Sequence, residues 1–230
     1  MRAVQPLHLR PTAPLAERVL LPGDPGRALA LAQALLVEPR MFNHHRGLWG
    51  YTGTAPDGEP LTIQATGMGG PSAAIVLSEL IALGARRAVR VGSCGALAPG
   101  LGLGTLIVAS EAICADGTSR ALGGEETVSA DPLLTRALAG HLPAASVGTV
   151  VSVDLFYEDG PPGAGREALA VEMEAATLFA VGRAAEAAVA CVLAVSDTFD
   201  ASGGRERIGD RELLEAAELM GAAAIATLSL

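Results

Sequence analysis

Short apolar runs alternate with longer helical stretches along the whole chain. Seven runs read as strands: Arg18–Leu21, Leu61–Thr66, Ala88–Ser93, Thr105–Ser110, Val147–Val153, Ala168–Glu174 and Val189–Asp197. They are β-branched or Leu-rich, and several lack polar alternation, which marks strands covered on both faces. Five stretches read as helices: Pro25–Leu36, Pro71–Leu83, Pro132–His141, Glu174–Ala187 and Asp210–Thr227. Pro25, Pro71 and Pro132 fall where a first helical turn tolerates proline, because that N–H has no intrahelical partner anyway. Asp131, before Pro132, suits an N-cap. No linker, repeat or charge block interrupts the alternation over 230 residues. The pattern predicts an α/β fold: a single domain, residues 1–230, with a mixed, mainly parallel central sheet flanked by helices. Such sheets bind ligands at the carboxyl ends of their strands.

Composition narrows the function. The formal net charge is −9, from 16 basic and 25 acidic side chains, and every basic residue is arginine. A nucleic-acid surface needs a broad basic face, so this balance argues against one. Cys94, Cys114 and Cys191 form no C-x-x-C and no disulfide framework. No spacing suits metal ligands. No apolar run approaches the ~20 residues of a membrane helix, and the amino-terminal stretch lacks a signal core. The expectation is a soluble cytoplasmic protein.

Four constellations could carry chemistry. In Leu21-Pro-Gly-Asp-Pro-Gly-Arg27 a strand enters a glycine turn and then a helix. Gly23 lets a ligand approach the backbone, and Arg27 can fork onto an oxyanion. An ordinary turn with a solvated arginine fits the same letters. In Arg90-Val-Gly-Ser93 an arginine lies inside an apolar strand, so it needs either a structural acid or a bound anion. Glu172-Met-Glu174, read as strand, puts two carboxylates on one side as acceptors for sugar hydroxyls. A helix start would also favour them. Ser196-Asp197 ends the longest apolar strand, where an acid or a turn aspartate would sit.

Taken together, the blocks LLPGDPGRA, NHHRGLWGYTG, TGMGGPSAAI, RVGSCGA, SVDLFY, VEMEAATLF and AVSD resemble the nucleoside phosphorylase family. They are most similar to its low-mass hexameric purine branch. The resemblance implies phosphorolysis of purine ribonucleosides or deoxyribonucleosides to free base and α-pentose 1-phosphate. Inorganic phosphate is the co-substrate, with no other cofactor and no metal. It also implies that Gly23, Arg27, Arg90 and Ser93 hold phosphate, with Arg46 reaching it from an adjacent subunit. His8 would meet the 5′-hydroxyl across the same interface. Met68, Met173 and Glu174 would contact ribose. Phe156 would pack on the base, Glu172 would lie along its pocket, and Ser196-Asp197 would supply the acid at purine N7. The implied assembly is a hexamer, a trimer of dimers with shared sites.

Two departures stand out. The segment between Tyr157 and Val171 is shorter than the family pattern. After Asp197, three arginines compete to support the acid: Arg205, Arg207 and Arg211, with spacing favouring Arg211. Alternatives on the same fold are a uridine phosphorylase or a hydrolytic nucleosidase. A non-catalytic nucleoside-binding relative is a third.

Overall fold

A computed structural model describes residues 4–157, 167–199 and 204–230. The elements run β1 (Arg18–Leu21), α1 (Pro25–Leu35), β2 (Val37–Asn43), β3 (Gly50–Thr54), β4 (Pro60–Gln64), α2 (Gly70–Leu83) and β5 (Arg87–Ala96). They continue through β6 (Leu106–Cys114), α3 (Gly117–Ala121), β7 (Thr127–Ser129), α4 (Pro132–His141) and β8 (Ser146–Ser152). The chain ends with β9 (Ala170–Glu172), α5 (Ala175–Ala185), β10 (Ala188–Phe199), β11 (Arg205–Arg207) and α6 (Asp210–Leu228). Residues 158–166, which make up most of the segment between Tyr157 and Val171, lie outside the described residues.

The expected α/β fold is present. β10, β5, β1 and β4 lie side by side and parallel, so their carboxyl ends share one edge. Antiparallel strands flank them, with β3 and β2 beyond β4. On the other side β10 also pairs with β6, which leads through β8 and β9 back to β5. Those five strands close into a ring.

The parallel strands are buried on both faces because successive side chains point to opposite sides. Val19, Leu21, Val189, Cys191, Leu193 and Val195 join one core with residues of α2 and α5. Leu20, Val89, Val91, Ala190, Val192 and Ala194 join the other with residues of α1, α4 and α6. Asp24 and Asp131 cap α1 and α4 by accepting from backbone amides.

Four strands escape the sequence pattern. β2 is exposed over its first five residues, and β11 is exposed throughout. β3 and β7 are short. None offers the buried apolar run by which a strand is read.

At the end of the sheet away from the glycine turn, Arg18 is buried and forks onto Asp57, Nη1 to Oδ2 at 2.5 Å and Nη2 to Oδ1 at 3.0 Å. These bonds hold the Asp57 carboxyl well below the usual range. A depressed carboxyl pKa stabilises the fold above the unfolded-state pKa, near 4 for Asp. That stability is lost as pH falls through the native pKa. Urea midpoints of the native protein should therefore fall steeply below about pH 4. Asp57→Asn should be less stable at pH 7 and lose less on acidification. Parallel acid profiles for the two proteins would remove this role.

Candidate active site

The carboxyl ends of the parallel strands open onto a cavity of about 510 Å³. Gly23 and Arg27 reach it from the β1–α1 turn, and Arg90 and Ser93 from β5. Met68 comes from the loop before α2, and Ser196 and Asp197 from β10. Two backbone hydrogen bonds hold the loops together: Thr66 N donates to Pro22 O at 2.9 Å, and Gly67 N to Gly23 O at 3.0 Å.

Arg90 organises the floor. Its Nε donates to Glu172 Oε2 at 3.1 Å, and its Nη2 pairs with Glu174 Oε2. Burial disfavours the cation, but Glu174 and Glu172 outweigh burial and hold its pKa above the ordinary arginine value. The remaining nitrogen, Nη1, is buried without a partner. A Cβ built on Gly23 would lie 4.0 Å from it, so the turn leaves this donor open. Arg27 is a second cation on the same wall. Burial lowers its pKa, Asp24 offsets part of that, and Arg90 lowers it further. Two guanidinium groups that repel one another beside a cavity suit an anion.

The two glutamates do not share a strand face. β9 ends at Glu172, whose carboxylate accepts from the amides of Glu174 and Ala175 at 2.9–3.0 Å. Ser152 Oγ also donates to it. These bonds cap the start of α5, which is why the strand stops two residues early. Glu174 accepts from Gly69 N at 2.5 Å. Both glutamates are buried, so a solvated helix start is excluded. Burial raises the Glu172 pKa, and Arg90 opposes that. Glu172 reaches the cavity with its oxygens already occupied, so it anchors Arg90 and α5 as well as lining the pocket. Met173 lies between the two on the cavity wall.

Asp197 owes its position to a bulge. Val195 pairs with Cys94 and Asp197 with Gly95, so Ser196 is an extra residue against β5. The inward alternation ending at Val195 breaks there. Asp197 is 6% exposed and lines the cavity. Ser196 Oγ lies 2.6 Å from its Oδ2. Its Oδ1 has no hydrogen-bond partner, although Arg207 Nε stands 3.2 Å away and Arg205 Nε 3.7 Å away.

One expectation needs correction, and two residues expected to act across a subunit interface have these places in their own chain. Arg211 does not support Asp197: it lies on α6, exposed, with Nε on Glu215 at 2.9 Å. Short β11 pairs with β10 and carries Arg205 and Arg207 to the acid instead. Arg46, expected in a neighbour's site, lines the cavity of its own chain from a 3₁₀ turn at φ +60°. His8 does not line this cavity. Its Nδ1 lies 2.7 Å from buried Glu79, which also accepts from the amides of His8 and Leu9.

Phe156 lies at the far wall, 38% exposed, and Phe199 faces the same space. Phe199, Arg205 and Arg207 carry no motif and were legible only as neighbours of Asp197. Among the described residues no group of three or more His, Cys, Asp or Glu could hold a metal ion. No described helix is long and apolar enough to cross a membrane.

Fold and cavity together define an α/β enzyme with an arginine-lined site at the carboxyl ends of its parallel strands. Residues 17–229 match the family model described as the phosphorylase superfamily, and the chain belongs to that family. A purine nucleoside phosphorylase DeoD-type from Geobacillus kaustophilus is 38% identical over 196 residues, covering 81% of this chain and 83% of that protein. A uridine phosphorylase from Thermococcus kodakarensis is 37% identical over 203 residues, covering 79% and 73%. Among solved structures, a uridine phosphorylase from Vibrio fischeri superposes with a TM-score of 0.82 at 26% identity, covering 94% of this chain and 92% of that one.

Proposed function

We propose that the protein cleaves purine ribonucleosides and deoxyribonucleosides with inorganic phosphate. The observation that carries this is a pair of orphaned buried atoms on one cavity: Arg90 Nη1, a donor, and Asp197 Oδ1, an acceptor. Buried polar atoms are normally satisfied, so such a pair points to a ligand with an anionic end and, at the other end, a nitrogen that shares a proton with the carboxyl group.

Phosphate sits between the Gly23 turn, Ser93, Arg27, Arg46 and Arg90. Glu174, with Met68 and Met173, holds the ribose. A phosphate oxygen bonds to C1′ as the C1′–N9 bond breaks, and the bonding pair leaves with the base. Asp197 delivers a proton to N7, so the purine departs neutral. The products are the base and pentose 1-phosphate, with no further cofactor. The assembly in this reading is a hexamer, a trimer of dimers. His8 is absent from its own cavity, as service to a neighbour's site requires.

Uridine phosphorylase is the second reading, favoured by the Thermococcus and Vibrio relatives. Inosine, adenosine, guanosine and uridine, each assayed for base release with and without phosphate, separate the readings. Purine release that requires phosphate is expected. Release without phosphate selects a hydrolase, and cleavage of uridine alone selects the pyrimidine enzyme. No turnover of any nucleoside leaves a binding protein.

Gly92 shares a strand face with Arg90. A Cβ there would stand 2.9 Å from the Arg90 guanidinium carbon and from Leu193 Cδ2. Gly92→Ala should cost about 1–3 kcal/mol of stability through overpacking. It should also lower kcat/KM for phosphate by about tenfold to a hundredfold, because Arg90 is displaced. An unaltered phosphate saturation curve would count against this packing role.

A further inference from the structure

Glu79 is a buried carboxylate that the cavity does not use. It stands on α2, 4% exposed, and does not line the active-site cavity. Its Oε2 accepts from the backbone amides of His8 at 2.9 Å and Leu9 at 2.7 Å, and its Oε1 lies 2.7 Å from His8 Nδ1. Burial opposes its charge, but those amides and the imidazole outweigh burial and hold its pKa below the usual carboxylate value. An ionised carboxylate only accepts, so the proton in this contact is on Nδ1. The neutral ring then presents Nε2 as an acceptor. Among the described residues none hydrogen-bonds to Nε2, and the side chain is 33% exposed. The same segment is tied to the turn that carries Arg46, since His45 Nδ1 lies 3.0 Å from His8 O. It packs on α2 through Glu79 and on β2 through Thr12 Oγ1, which donates to Met41 O. Segment and elements each carry an exposed apolar side chain, Leu7, Ile75 and Met41, which a second copy would cover.

We propose that Glu79 is a positioning residue for the 5′ end of the nucleoside: it fixes the His8 tautomer so that Nε2 accepts from a 5′ donor in the neighbouring subunit's site. The inference rests on the phosphorolysis reading above and on its shared sites, and it adds the polarity of the 5′ contact. A neutral imidazole without such a partner can carry its proton on either nitrogen, and only one of the two forms accepts at Nε2. A 5′-hydroxyl donates and accepts, a 5′-ammonium only donates, and a 5′-methyl group does neither. An acceptor at Nε2 therefore takes the first two and gains nothing from the third. A donor at Nε2 keeps the hydroxyl and rejects the ammonium, donor against donor.

The test compares kcat/KM for inosine, 5′-amino-5′-deoxyinosine and 5′-deoxyinosine, each with phosphate. The proteins are the native chain, Glu79→Gln, His8→Ala and the double variant. The native protein should prefer inosine over 5′-deoxyinosine by about threefold to tenfold, the range of one hydrogen bond. In Glu79→Gln the amide oxygen still accepts from the backbone, while its NH₂ donates to Nδ1 and moves the ring proton to Nε2. The ratio of the 5′-amino to the 5′-deoxy substrate should then fall about tenfold, and the inosine ratio much less. In His8→Ala both preferences should vanish, and adding Glu79→Gln should change neither ratio further. A further change in that background means that Glu79 acts without His8 and overturns the positioning role. Nitrogen-15 shifts of the His8 ring, assigned by their loss in His8→Ala, give a readout without turnover. Nδ1 should carry the proton in the native protein and Nε2 in Glu79→Gln; a native ring protonated on Nε2 alone overturns the proposal. An inosine-to-5′-deoxyinosine ratio unchanged in His8→Ala overturns the 5′ role while the phosphorolysis reading stands. Cleavage of uridine alone overturns the purine reading, and the same 5′ ratios measured on uridine then decide the inference. Turnover of no nucleoside overturns the reading and the inference together.

Discussion

Asp197→Asn should lower kcat/KM for inosine by about 10²–10⁴-fold, the range ordinarily contributed by a positioned proton donor. The amide keeps the side chain's shape and removes the transferable proton. N7-methylated purine nucleosides provide the control. Their base already carries a positive charge and leaves neutral without protonation, so the variant should cleave them with little loss. Phosphate saturation should be unchanged, because Asp197 is not among the groups assigned to phosphate. Equal losses on both substrates would remove the acid role. Stability should move little: Asp197 Oδ1 accepts no hydrogen bond, and the charges near it are on Arg205, partly exposed, and Arg207, exposed.

Arg90→Ala carries the other large effect, and it is a double one. From the sequence, this arginine is a phosphate ligand, so its loss should spare the nucleoside. In the structure it also neutralises buried Glu172 and holds the ribose acceptor Glu174. Removing one partner of a buried ion cluster strands the others, at about 3–5 kcal/mol. Arg90→Ala should therefore lose phosphate saturation, weaken nucleoside binding and shift the urea midpoint together. A double variant, Arg90→Met with Glu174→Gln, should recover part of the stability and none of the activity. Retention of native phosphate saturation in Arg90→Ala would falsify the oxyanion assignment. A stability loss below about 1 kcal/mol would remove the buried-cluster argument.

Legibility varied with the physics of each element. The parallel strands and the longer helices announce themselves because both their faces, or one full stripe, must be apolar. β11 cannot be read that way. It is three exposed residues, Arg205-Glu206-Arg207, held only by pairing with β10. That is why spacing pointed to Arg211, which instead pairs along its own helix with Glu215. The two glutamates are legible by residue type, but their geometry is not. The apolar pattern continues as strand through Glu174, whereas the Glu172 carboxylate captures two amides and starts α5.

The sequence by itself determined the α/β architecture, the phosphorylase resemblance and about half of the residues on the cavity wall. Local chemistry suffices there: apolar runs must be buried, and an arginine inside an apolar strand needs an acid or a bound anion. Only the tertiary structure decided which partner each polar atom has. Arg90 spends two nitrogens on carboxylates and keeps one open, Ser196 bulges so that Asp197 reaches the cavity, and Arg205 comes to rest on Phe156. Those outcomes depend on strand register and on contacts between residues distant in the chain, which no local pattern encodes.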